Sequence, residues 1–112
     1  MNMEEELKCI TRLRIRRGEE DTKTAFGHGT AQLLQGILEL QSLNRSAKRM
    51  GMAYSKAWKS IRATEEHLGF QLIARKAQHG SELTEEGERF LDLFLRAEQA
   101  AEEAAAAVFR EW

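Results

Sequence analysis

Apolar and polar residues alternate at the start of the chain. In "LKCITRLRIRR", Leu7, Cys9, Thr11, Leu13 and Ile15 share one side of an extended backbone. Lys8, Arg12, Arg14 and Arg16 share the other, with Ile10 as the exception. Period two with a charged outer side predicts a half-buried strand over these residues. "RGEEDTKTAFGHG" follows, and its Gly, Asp, Thr and Lys content predicts a loop.

The period then changes to that of a helix. Leu33, Leu34, Ile37 and Leu38 fall on one face, with Thr30 placed as an N-cap. Gly36 inside this run costs some helix propensity. Ser42 or Asn44 caps a short second helix over about residues 44–50, and Gly51 ends it, as a residue free to take positive φ. A third helix opens at Ala53 or Ser55 and runs to about Leu68, with Gly69 after it. "FQLIARKA" and "SELT" predict two short strands around a "QHG" turn, which would make a hairpin at 71–84. Thr84 caps a last helix, with Glu85, Glu86 and Glu88 in its dipole-favoured first turn. That helix runs nearly to Trp112, about 28 residues and about 40 Å.

The elements compose a mainly α fold with a small β component. It is a winged helix-turn-helix with an N-terminal strand, a β-hairpin wing and a long C-terminal helix. Residues 1–84 would form the helix-turn-helix unit and 85–112 the terminal helix. There is no internal repeat. The alanine run "AEQAAEEAAAA" favours helix.

Composition adds little until charge is divided along the chain. The 112 residues are 42% hydrophobic and 31% charged, ordinary for a globular domain, and contain no proline. No apolar run approaches the roughly 18 residues of a membrane span. "MNMEEELKC" is acidic and does not resemble a signal peptide. A single cysteine, Cys9, makes no internal disulfide, so the expected compartment is the cytoplasm. The net charge is −1 but it is unevenly spread. Residues 1–42 carry 6 Lys/Arg and 7 Asp/Glu, residues 43–81 carry 8 and 2, and residues 82–112 carry 3 and 9. A basic centre beside an acidic end points to a polyanion on one surface and something else on another.

The basic centre coincides with a turn motif. In "RSAKRMGMAYSKAWKSI", Ala47 is the small residue at a helix crossing and Gly51 the turn. Met50 and Met52 flank the turn, and Ala57 and Ile61 continue the buried stripe. Ser55, Lys56, Lys59 and Arg62 then face outward on the third helix. Its N-terminal half is the part a recognition helix sets against base edges in the major groove. Asn44, Arg45, Ser46 and Lys48 would reach phosphates from the helix before it. Arg75, Lys76 and His79 belong to the wing. Tyr54 either hydrogen-bonds a phosphate or packs under the wing, and Trp58 adjoins the core stripe. Lysines on a helix face are commonly just solvated. Here their coincidence with the turn motif, and with the local excess of positive charge, favours duplex DNA as the partner.

These residues resemble a known family. "QSLNRSAKRMGMAYSKAW" and "LTEEGERFL" resemble the N-terminal DNA-binding domain of molybdate-responsive regulators of the ModE type. More distantly they resemble the winged helix-turn-helix of LysR-type regulators. The resemblance spans about residues 7–112. It implies a transcriptional regulator that pairs through its terminal helices, with Tyr54, Ser55, Lys56 and Lys59 on the recognition helix and residues 71–84 as the wing. Such regulators sense molybdate through a separate C-terminal region, and no molybdate site is expected in this chain. The wing is shorter and poorer in glycine than the family's, with only Gly80.

The terminal helix supplies its own reason to pair. Phe90, Phe94, Ala97, Ala101, Ala104, Val108 and Trp112 are spaced close to the seam along which two helices pack, which predicts a homodimer. An enzyme is not expected, nor is a cofactor. "GHG" at 27–29 lacks every other part of a phosphate loop, and His28, His67 and His79 are scattered, which gives a metal no ligand set. His67 is placed to stabilise a helix C-terminus. Cys9 reads as a small buried hydrophobe. The rival function is a winged-helix protein-interaction module that reads no DNA and works through the acidic terminal helix.

Overall fold

The computed structural model describes residues 7–18, 26–76 and 80–112. Its elements are α1 (His28–Leu40), α2 (Leu43–Arg49), α3 (Tyr54–Leu68), β1 (Ile73–Arg75), β2 (Ser81–Leu83) and α4 (Glu85–Phe109). The mainly helical winged helix-turn-helix expected from the sequence is the observed fold.

Each boundary has a local cause. The Ser42 hydroxyl accepts from the Arg45 N–H at 3.1 Å, so Ser42 rather than Asn44 caps α2. Gly51, at φ +70°, makes the turn into α3. The Thr84 hydroxyl accepts from the Gly87 N–H at 2.9 Å and donates to the Gln71 carbonyl at 2.6 Å. It therefore caps α4 and ties it to the entry of the wing. Thr30 is not a cap. α1 begins three residues earlier, at His28 behind Gly27, and Thr30 is buried within its first turn.

The core is one cluster. Leu33, Leu34 and Ile37 of α1 meet Leu43 and Ala47 of α2, Ala57, Ile61 and Leu68 of α3, and Leu91 and Phe94 of α4. Gly36 explains itself here. A Cβ at that position would collide with the side chain of Ser46, so the glycine lets α2 lie close across α1. β1 and β2 pair antiparallel, with Ile73 opposite Leu83 and Arg75 opposite Ser81. Buried Glu65 of α3 holds the hairpin in place: its Oε2 accepts from the N–H groups of Leu72 (2.7 Å) and Ile73 (3.2 Å). Residues 77–79, with His79 and most of the expected turn, lie outside the described residues.

Two expectations are corrected. The N-terminal strand shrinks to a single bridge, Ile15 with Phe26. Among the described residues no second strand runs beside residues 7–14; this arm lies on α4 instead. The Thr11 N–H donates to Glu102 Oε2 at 3.2 Å and the Leu13 N–H to Glu98 Oε2 at 3.3 Å, so helix carboxylates take the place of a strand partner. The alternation survives in the burial: residues 9, 11, 13 and 15 are half-buried and their neighbours exposed. Second, Phe90 and Phe94 do not belong to an outward seam. Both ring centroids lie within 5 Å of the buried Phe26 ring, at 4.8 and 4.9 Å, in edge-to-face packing that seats the first turns of α4 on the domain.

Candidate nucleic-acid interface

The interface is built by α2, the turn and α3. Ala57 and Ile61 are fully buried and fix the rotation of α3. Tyr54, Ser55, Lys56, Lys59 and Arg62 are exposed as a result. Asn44, Arg45 and Lys48 are exposed on α2, and Arg75 and Lys76 on and just beyond β1. Ten of the eleven expected site residues thus keep solvent-facing side chains.

Ser46 is the exception and a correction. It is fully buried, and its hydroxyl donates to the Leu33 carbonyl at 2.7 Å. The close α1–α2 crossing that Gly36 permits encloses this side chain, so it has none left for a phosphate.

The wing is joined to α3 and α1 by polar contacts that local sequence did not reveal. Tyr54, Trp58, Arg75, Lys76 and Ser81 line one cleft between α3 and the hairpin. Tyr54, 44% exposed, sits at its mouth. Half-buried Trp58 carries two guanidinium groups near its ring: Arg62 Cζ at 4.6 Å and Arg75 Cζ at 5.2 Å from the centroid. The Arg62 pairing follows i,i+4 spacing and was legible in "WKSIR". The Arg75 pairing depends on the hairpin and was not. Lys76 Nζ donates to Gln41 Oε1 at 3.3 Å, and the Ser81 N–H donates to the Gln41 carbonyl at 3.1 Å, which docks the wing on the end of α1. Arg49, the remaining cation of the basic centre, is committed to Glu39 of α1.

His67, near the end of α3, contacts the arm's Arg17. Its Nε2 accepts from the Arg17 N–H at 2.9 Å, while the Arg17 guanidinium donates to the Leu68 carbonyl at 2.8 Å. Among the described residues, no three of His, Cys, Asp and Glu come together as a metal site, and no helix is long and apolar enough to cross a membrane.

The other surface is the outer half of α4. The arm covers the side that carries Glu98 and Glu102. On the open side Leu93 (47% exposed), Ala97, Ala100, Ala104 and Val108 (63% exposed) follow one another at spacings of 4, 3, 4 and 4, and Trp112 beyond the helix is 97% exposed. Ala101 is half-buried.

The family model for bacterial regulatory helix-turn-helix proteins of the lysR family matches residues 30–88. Solved structures share the fold. The BenM DBD in complex with benA site 1 DNA is 22% identical, with a TM-score of 0.57, over 73% of this chain and 91% of that one. The CbnR DBD–DNA complex is 24% identical, with a TM-score of 0.55, over 71% and 95%. ArgP from Mycobacterium tuberculosis is 23% identical, with a TM-score of 0.56, over 72% of this chain and 30% of that one. No curated protein matches the chain.

Proposed function

Because this chain belongs to the lysR family of bacterial regulatory helix-turn-helix proteins, we propose that it is a transcriptional regulator whose ligand is double-stranded DNA. The observation that carries the reading is the amphipathic division of α3. Its apolar side is consumed by the core, while Tyr54, Ser55, Lys56 and Lys59 stand together in solvent at its N-terminal half. A helix presented in this way enters the major groove with that end against the bases. Lys56 and Lys59 read base edges or phosphates there. Asn44, Arg45 and Lys48 hold the backbone on one side of α3, and Arg62, Arg75 and Lys76 hold it on the other. The basic centre of a chain with net charge −1 supports the same reading. So do the solved relatives of the same fold that are complexes with DNA.

The working form in this reading is a homodimer, with residues 1–84 as the DNA-reading unit and 85–112 as the pairing helix. The open stripe of α4 is where the copies meet: Leu93, Ala97, Ala100, Ala104 and Val108, with Trp112 beyond. Left in water, that stripe forgoes roughly 25 cal/mol for each Å² of apolar surface. A two-fold axis along α4 presents two copies of α3, so the operator is an inverted repeat with half-sites about one helical turn or a multiple apart. The protein works where its DNA is, in the cytoplasm. We read the "GMAYSKAW" run as kinship with the DNA-binding half of ModE-type regulators, and we propose no molybdate response.

Selection from a pool of random duplexes tests the reading. Enrichment of an inverted repeat supports it. A pool with no enriched sequence and no salt-sensitive retention overturns it in favour of a protein-interaction module.

A further inference from the structure

Trp58 lies where α3 meets the wing and is contacted by a cation from each. Trp58 is half-buried, so part of its ring lies outside the core that Ala57 and Ile61 complete. Arg62, one turn further along α3, lies 4.6 Å from the ring centroid, and Arg75, on β1, lies 5.2 Å from it. Both distances fall within the roughly 6 Å over which a cation is attracted to an aromatic ring. Arg62 is partly offset by Glu65, whose Oε1 lies 3.9 Å from its Nη1. Arg75 makes no ion pair with a carboxylate among the described residues. A guanidinium held against the ring keeps its planar donor fork available to a phosphate oxygen.

We propose that Trp58 is a positioning residue that holds Arg62 of the recognition helix and Arg75 of the wing in place for contacts with the DNA backbone phosphates. The proposal rests on the DNA-binding reading above. Trp58 touches no nucleotide itself. It removes rotamer freedom from two long side chains before DNA arrives, so less is lost on binding. It also fixes the wing relative to α3, because its partners come from both elements.

A double-mutant cycle tests this, with binding of a fluorescent random-sequence duplex at low salt as the readout. Each guanidinium–ring contact at an exposed site corresponds to about two- to fivefold in affinity. Trp58→Leu keeps apolar volume and loses the π face. It should bind about four- to twenty-fivefold more weakly than the unaltered chain if both contacts act. Trp58→Phe should recover part of that loss. In the Arg62→Ala, Arg75→Ala background, Trp58→Leu should cost nothing further. A loss that persists undiminished in that background means that Trp58 serves folding alone, and overturns the proposal while leaving DNA binding intact. Failure of the unaltered chain to bind duplex overturns both. Should Trp58→Leu lose its helical circular dichroism, the same cycle run with Trp58→Phe decides on the same criterion.

Discussion

The helix-turn-helix and the outer half of α4 expose opposite kinds of surface. In α2, α3 and the wing the apolar residues are consumed inside the domain, and what faces water is Lys, Arg, Ser, Tyr and Asn. On the open side of α4 the charged residues stand aside, and Leu93, Val108 and the alanines between them face water. A cationic surface costs little while it waits for a partner, since water solvates it. An apolar stripe loses free energy as long as it is uncovered. The first surface therefore fits a ligand bound reversibly and in a salt-dependent way, the second a partner held permanently. The two segments also differ in net charge, +6 over residues 43–81 against −6 over 82–112. The acidic end is thereby kept off a polyanion that the basic centre attracts.

The strongest way to break this division is to remove what joins its halves. Phe26 is fully buried and packs edge-on against both Phe90 and Phe94. Phe26→Ala should cost about 3–5 kcal/mol in urea denaturation and unseat α4 from the domain. A loss near zero would mean that α4 is held elsewhere. Next is Glu65→Ala, which orphans the N–H groups of Leu72 and Ile73. It should cost about 1–3 kcal/mol, and Glu65→Gln, which keeps one acceptor, should cost less. Thermal unfolding followed by circular dichroism measures both.

A third substitution acts on one region only. Ala104→Glu sets a charge in the open stripe of α4. It should weaken self-association at least about tenfold, or about 1.4 kcal/mol, with unchanged monomer stability. Sedimentation equilibrium reads the first quantity and denaturation the second. A monomeric unaltered chain at tens of micromolar would remove the pairing surface from the account. The smallest expected stability effect belongs to Lys56→Ala. It should shift unfolding by no more than about 0.5 kcal/mol while weakening duplex binding. A change larger than that would give Lys56 a structural role that its exposure does not support.

Most of the fold was legible because its signals are local. Thr84 with Glu85, Glu86 and Glu88, Gly51 at the turn, and the Leu33–Ile37 and Ala57–Ile61 stripes each act within a turn or two of chain. Failures came where a long-range contact decided. The arm has the alternation of a strand but finds Glu98 and Glu102 instead of a ladder. Ser46 reads as a polar residue one turn into a short helix until α1 closes over it, which depends on Gly36 ten residues away. Phe90 and Phe94 fit the seam spacing as well as Leu93 does. The position of Phe26, which no local signal gives, helps decide which side of α4 turns inward. The exposure of the α3 candidates was legible residue by residue, since helical rotation fixes which of its side chains face out. Its assembly with the wing was not, because the Trp58–Arg75 contact joins elements through the hairpin register.

The central claim is that the outward face of α3 binds duplex DNA, and its most direct test is the salt dependence of that binding for the unaltered chain and for Lys56→Ala, Lys59→Ala. The account predicts that log affinity for a duplex falls linearly with log salt, and that the double variant binds more weakly with a slope shallower by about 0.9 for each lysine that neutralises a phosphate. If one lysine reads a base edge instead, the variant should lose about 1–3 kcal/mol of discrimination at one position of the selected sequence. Binding of the double variant that matches the unaltered chain in strength, slope and sequence preference would contradict the claim and move the interface off α3.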